Sequence, residues 1–273
     1  MVQYRQFTII LSFESSIYLN NLKNPSSLNI SDKMSTNFRW NTPSIPIATK
    51  NIIIINSILW LATLLLGQRG IVDLNKYLAL HFWLAEDFHV HQFVTYMFMH
   101  DSSGFSTGIW HILFNMFTLW MFGSLLERVM GVKRFLIFYF VCGIGAGIVQ
   151  EVVWHLTIGD LSAYTGVNTG SEIIPVNQFY NLLMTVGASG AVFGILLAFA
   201  VLFPNIPIYI MLIPIPIKAK WAVIGFALFE LFFGVAGINS SVAHFAHLGG
   251  MLFAAILLFY WKKKGVFNRY HEI

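Results

Sequence analysis

Charge is what this chain has least of. Only 10% of its 273 residues are Asp, Glu, Lys or Arg, against about 25% in a soluble globular domain. Cysteine is almost absent: Cys142 stands alone, which excludes an internal disulfide framework. It falls in an apolar run and reads as a small buried hydrophobe. The net charge is +4, too few basic groups for the basic face of a nucleic-acid-binding module. What is abundant is apolar surface. Hydrophobic residues make up 57% of the chain and the mean hydropathy is +0.69. A soluble enzyme, a disordered tail and a nucleic-acid partner are all disfavoured, and a lipid bilayer is the expected solvent.

A hydrocarbon core of about 30 Å takes about 20 apolar residues per helix. Six stretches qualify, at 50–66, 108–126, 132–155, 180–203, 220–236 and 241–261. The expected fold class is all-α, a polytopic six-transmembrane-helix bundle. A tail (1–49) precedes the core (50–261) and a basic tail (262–273) follows it. With the N-terminus inside, 14 of the 16 basic residues fall on the inner side and only Arg69 and Lys76 outside. The positive-inside rule therefore predicts that both termini are cytoplasmic, in a cell (inner) membrane.

Two connections stand out. The first, 67–107, is rich in aromatics and His, too apolar for a free aqueous loop, and is expected to lie partly helical in the membrane interface. The second, Pro204 to Lys218, carries four Pro, which disfavours a regular helix and predicts an extended cytoplasmic connector. No useful internal repeat is present.

Polar groups are costly inside a bilayer and tend to mark function. The notable ones are His111 and Asn115 in span two, Ser189 in span four and His247 in span six. Counted back from the inner ends of their spans at about 1.5 Å per residue, Ser189 and His247 lie roughly 21 Å deep, His111 roughly 24 Å and Asn115 roughly 18 Å. Four polar groups on three helices thus share one level. Small residues flank them: Gly190 and Gly194 in span four, and Ala246, Gly250 and Ala254 in span six. Such faces let helices approach closely. Gly143 and Gly147 give span three a similar face, read as packing alone.

A lone membrane Ser is usually a packing residue, and a lone His or Asn often bonds a neighbouring helix. A shared level beside small faces points instead to chemistry. A Ser hydroxyl becomes a nucleophile when an adjacent base takes its proton, and His is the usual base. A developing oxyanion needs oriented donors, which Asn115, His111 and the Ser189 backbone N–H could supply. No acid stands beside His247 in sequence, so a Ser–His dyad is the simplest arrangement, with a sequence-distant acid left open.

Taken together, His111-x-x-x-Asn115, Gly187-Ala188-Ser189-Gly190 and Ala246-His247-x-x-Gly250 resemble the three signature segments of the rhomboid intramembrane serine proteases, in that family's order. Gly123-x-x-x-Glu127-x-x-x-Gly131 is similar to the family too. The resemblance covers about 50–261. It implies Ser189 as nucleophile, His247 as general base, and His111, Asn115 and the Ser189 backbone as the oxyanion hole. Gly187, Gly190 and Gly250 support the site, and Phe193 stands where the family commonly packs an aromatic on the catalytic His. It further implies an interfacial first loop, a lateral gate at span five, and transmembrane proteins as substrates, with no metal and no cofactor. Two departures are visible. His91-Gln92 replaces the Trp-Arg often found ahead of a Thr, here Thr95, which questions the anchoring of the loop. Ala254 replaces a Gly often seen beyond Gly250, which would widen helix spacing slightly.

Other groups carry less. His81, His89, His91, His100 and His155 show no zinc spacing and read as interfacial. His244, one turn before His247, reads as a neighbour of the site or a residue at its mouth. Glu151 and Glu230, in spans three and five, read as snorkelling or interhelical hydrogen-bonding acids. Two rival functions remain: a non-proteolytic rhomboid-fold factor for membrane-protein binding or quality control, and a solute transporter using Glu151 or Glu230. The lack of an inverted repeat weighs against transport. Substrate identity, oligomeric state and the gating element are left open.

The first 40 residues are polar apart from Phe7 to Phe13, with no small-residue cleavage site behind that patch, so no signal peptide is read. Met34 precedes a short tail of its own, so the start is left open between Met1 and Met34, with the hypothesis that 1–33 is an over-extended reading frame. N-terminal sequencing of the native protein is expected to find Met34 or Ser35 first; a mature chain starting at Met1 refutes this.

Overall fold

In lipid every backbone polar group must be satisfied internally, so apolar stretches of this length fold as helices. The computed structural model describes residues 44–102, 105–209, 216–237 and 243–267, without the side chains of 105–107. Among them the first long helix is α1 (Ile47–Gln68). The connection after it holds α2 (Leu74–Leu78), β1 (Leu80–His81), α3 (Gln92–Thr95) and a 3-10 turn, Tyr96–Phe98. Next come α4 (Phe105–Thr118), a π-helical turn at Leu119–Gly123 and α5 (Ser124–Met130). Gly131, at φ +78°, breaks the chain into α6 (Val132–Thr157). A hairpin, β2 (Gly166–Asn168) with β3 (Ile173–Pro175), leads to α7 (Val176–Leu182), β4 (Met184–Thr185) and α8 (Ser189–Leu202). Strands β5 (Pro207–Tyr209) and β6 (Pro216–Lys218) pair antiparallel before α9 (Ala219–Ala236) and α10 (His244–Lys263).

Among the described residues five helical stretches are long and apolar enough to cross a membrane: Ile47–Gln68, Gly108–Met130, Val132–Thr157, Ala219–Ala236 and His244–Lys263. The fourth expected span, 180–203, is not one helix. Met184–Thr185 pairs as a strand with Leu80–His81, and Gly187 takes φ +136°, a conformation L side chains rarely adopt. The helix therefore begins only at Ser189 and is a shorter apolar helix of 14 residues. Met34, the Phe7 to Phe13 patch, Arg269 and the middle of the Pro-rich connector lie outside the described residues.

Lipid offers apolar side chains no reason to leave it, so helices associate through close packing. The glycines mark where. A Cβ on Gly250 would fall on the backbone carbonyl of Gly190, and one on Gly190 would meet the Ala146 methyl. At Gly194 it would lie 2.7 Å from Cys142 Sγ, and at Gly249 2.7 Å from Val149 Cβ. Helices α8 and α10 thus meet backbone to backbone at the centre, with small side chains of α6 packed against both. Ala254 is fully buried in the same core. Gly143 and Gly147 face Met97 and Leu80 of the first connection rather than a helix. Helix α9 sits outside this centre and leaves Leu228, Phe229, Phe232 and Val235 exposed.

The first connection is fastened by hydrogen bonds. Gln92 is fully buried; its Oε1 accepts from the N–H of His81 (3.2 Å) and His89 (3.1 Å), and its Nε2 donates to the Asp87 carbonyl at 2.8 Å. Thr95 Oγ1 donates to the Leu78 carbonyl at 2.8 Å, and His91 Nε2 lies 3.0 Å from the Tyr77 carbonyl. The His91-Gln92 pair therefore anchors this loop by its own bonds. Glu151 on α6 accepts the Trp83 N–H at 2.8 Å, bonding loop backbone rather than another helix. Glu127 closes the start of α1: its carboxylate accepts from the Ala48 N–H (2.9 Å), the Thr49 N–H (2.7 Å) and Thr49 Oγ1 (2.8 Å). A carboxylate there satisfies orphan donors and opposes the positive end of the helix dipole.

Two outcomes follow. Gln92→Ala strands three backbone groups and is expected to cost about 2–4 kcal/mol, at about 1–3 kcal/mol for each unsatisfied group less what water recovers. Thermal unfolding in detergent reads this, with Gln92→Glu, which keeps the acceptors, falling between. Gly250→Ala should destabilise by at least the roughly 1–3 kcal/mol of an overpacked core, because the group it meets is backbone. Gly225→Ala, with nothing within 4 Å, should not lower the melting temperature; equal melting of the two variants would refute this account of the centre.

Candidate functional site

The start of α8 decides the position of Ser189. Gly187 donates its N–H to the Tyr96 carbonyl at 3.0 Å, and the Tyr96 hydroxyl donates to the Gly143 carbonyl at 2.6 Å. The turn is thereby tied to the first connection and to α6. Ala188 caps the helix and its carbonyl accepts from the Val192 N–H at 3.0 Å. Ser189 is the first helical residue, so its N–H belongs to the free, partly positive end of a helix.

Helix α10 brings His247 alongside. Its Nε2 lies 2.7 Å from Ser189 Oγ, within hydrogen-bond distance. The imidazole is stacked on Phe193, one turn past Ser189, with centroids 4.3 Å apart and planes 5° from parallel. The close seating of Gly190 against Gly250 explains the reach, since a Cβ between these helices would push both rings away.

His111 and Asn115 come from α4. A Cβ on Gly187 would sit 3.2 Å from His111 Nε2 and 3.3 Å from Ser189 Oγ, so both atoms border the same small space. His111 Nδ1 accepts the Asp101 N–H at 3.3 Å. That leaves the proton of a neutral ring on Nε2, the nitrogen turned towards Ser189. Asn115 Nδ2 donates one hydrogen to the His111 carbonyl at 2.9 Å and has a second to give. His100 packs edge-on against His111 at 5.1 Å. Its burial, with His111 beside it, pushes its imidazole down to about 3, so it adds no charge near neutral pH.

His111, Asn115, Ser189 and His247 all line one cavity of 1220 Å³, together with Phe193 and Phe226 of α9. Of the residues singled out in the sequence, His111, Asn115, Ser189, Phe193 and His247 line this cavity, while Gly187, Gly190 and Gly250 do not. Two further side chains join them. Glu230 of α9, buried, has its Oε2 2.6 Å from His244 Nδ1, in a hydrogen bond between helices, and 3.0 Å from His247 Nδ1. The sequence signals the bond to a neighbouring helix but not the partner. Only His244 and His247 three residues apart, with an acid in the preceding span, hint at it.

The carbonyl chemistry this geometry permits is plain: a hydroxyl against a ring nitrogen, a second ring and an amide across a small gap, and a helix start beneath. Among the described residues no group of three or more His, Cys, Asp or Glu is placed to hold a metal ion.

Comparison with known proteins agrees with these features. The chain is 27% identical over 157 residues to "Rhomboid protein 1, mitochondrial" of Saccharomyces cerevisiae, covering 56% of this chain and 38% of that protein. It is 29% identical over 157 residues to "Rhomboid-like protein 16, chloroplastic" of Arabidopsis thaliana, covering 57% and 46%. "Rhomboid-like protein 15" of the same plant is 28% identical over 159 residues, covering 58% and 33%. The chain thus spans less than half the length of each of these relatives. The model of the Rhomboid domain matches residues 87–264, more than half of the sequence, a range that includes His111, Asn115, Ser189, Phe193, Phe226 and His247. The chain is a multi-pass membrane protein, and it belongs to the rhomboid family.

Proposed function

We propose that this protein is an intramembrane serine endopeptidase that cleaves transmembrane segments of other membrane proteins. The observation that carries the reading is the 2.7 Å approach of His247 Nε2 to Ser189 Oγ inside a cavity shared with His111 and Asn115. Ser189 Oγ attacks the scissile carbonyl carbon while His247 Nε2 takes the hydroxyl proton. The carbonyl π pair moves to oxygen. The resulting oxyanion is held by His111 Nε2–H, the free Asn115 amide hydrogen and the Ser189 N–H. Collapse breaks the C–N bond, and His247 returns its proton to the leaving amine. Water, deprotonated by His247, then attacks the Ser189 ester; the C–Oγ bond breaks, the carboxyl product leaves and His247 returns the proton to Ser189 Oγ. No cofactor takes part.

In this reading the short helix α8 is the sixth crossing of the core at 50–261. It needs fewer residues because it begins at the cavity floor instead of the membrane surface. The first connection lies in the interface, 1–49 and 262–273 are cytoplasmic tails, and the chain sits in a cell (inner) membrane. The lipid bilayer and transmembrane proteins are its partners.

Covalent labelling tests the chemistry. A fluorophosphonate probe should label the detergent-purified protein, and Ser189→Ala and His247→Ala should each abolish labelling. The wild type should also cleave a transmembrane peptide in liposomes. A folded wild type that neither labels nor cleaves would sink the proposal and favour the non-proteolytic rhomboid reading.

A further inference from the structure

A general base must offer its lone pair at the right nitrogen. His247 faces Ser189 with Nε2, so the proton of its neutral ring must sit on Nδ1. Left alone, imidazole distributes between two tautomers, and the group hydrogen-bonded to the other nitrogen selects one. The oxygen beside His247 Nδ1 is Glu230 Oε2, at 3.0 Å, an ion-pair contact rather than an aligned hydrogen bond. An ionised carboxylate only accepts, so it favours Nδ1–H and leaves Nε2 bare.

Taking this site as that of the proposed serine peptidase, we infer that Glu230 is a positioning residue, the third member of a Ser189–His247–Glu230 triad built across α8, α10 and α9. Three features support this. The stack on Phe193 at 5° fixes the plane of the His247 ring but leaves it free to turn within that plane; a carboxylate at Nδ1 removes that freedom. The carboxylate is itself held, because His244 Nδ1 donates to the same Oε2 at 2.6 Å. His244 and His247 are one helical turn apart, so a single oxygen spans both. Finally, the carboxylate is buried, within reach of both rings and with no Lys or Arg paired to it among the described residues. A buried carboxylate needs partners to remain there.

The chemistry follows the charge. When Ser189 gives its proton to Nε2, His247 becomes an imidazolium with Glu230 already at its other face. The proton on Nδ1 stays on nitrogen, and no proton passes to the carboxylate. Among the described residues, Ser189 from α8, His111 from α4, and His244 and Glu230 are the polar groups around the ring. Of these only Glu230 brings negative charge.

The test uses the full chain in detergent, with fluorophosphonate labelling rate and apparent melting temperature measured in parallel. Glu230→Gln should slow labelling by about 10²–10⁴-fold, the scale set by loss of the acid in other Ser–His–acid sites, while melting changes little. A Gln amide can turn its NH₂ to His247 and hold the wrong tautomer. Glu230→Asp should recover a substantial part of the rate. A nitrogen-15 histidine spectrum of the wild type should show His247 protonated at Nδ1 and bare at Nε2, and this reading needs no variant to fold. Labelling of a folded Glu230→Gln within threefold of wild type overturns the inference, as does a wild-type His247 protonated at Nε2. If wild-type labelling is absent or survives Ser189→Ala, the peptidase reading itself has failed instead.

Discussion

The backbone contact of α8 with α10 sets the geometry of everything near it. With Gly190 against Gly250, the helices approach until a carbonyl occupies the place of a side chain. In lipid this is how association is won: there is no hydrophobic gain in bringing apolar helices together, only dispersion and the loss of gaps. The same contact places Ser189 and His247, which flank the glycines, within hydrogen-bond reach. Packing and site are therefore one arrangement, and neither could be altered at these positions alone.

Around that centre, three buried carboxylates do three different things. Glu127 ends a helix from outside, accepting the amides that open α1. Glu151 holds the backbone of the first connection. Glu230 meets two imidazoles. None of them lies in open solvent; Glu127 and Glu230 each meet several donors, while Glu151 accepts through one oxygen only. A charge buried in an apolar medium persists when such donors are fixed in place, which explains how a chain so poor in charge keeps Glu127 and Glu230.

The length and order of the long helices were legible in the sequence because twenty apolar residues in a row permit little else. The polar residues of the site were legible for the converse reason: His111, Asn115, Ser189 and His247 are expensive where they stand. Less legible was anything depending on pairing between distant segments. The break before Ser189 arises because Met184–Thr185 joins Leu80–His81, a strand pair too short to leave a periodic trace. Gln92 looked like a missing anchor when it is a different one, since its bonds go to backbone groups that sequence cannot locate. Glu230 was visible as a misplaced acid, but its partner His247 lies across a helix boundary. That distance in sequence made two members stand out and hid the third.

The carboxylate that meets His247 is carried by α9, the helix that leaves most of its length outside the central packing. Ser189 and His247 stand on helices wedged together by glycine; Glu230 does not. This separation imposes a reciprocity. In the proposed peptidase, any occupant that draws α9 away from α10 weakens the hold on His247, and charging His247 draws α9 back by the same free energy, because linkage between two equilibria is symmetric. The position of a lipid-facing helix and the readiness of a proton acceptor are thus two readings of one coupled equilibrium.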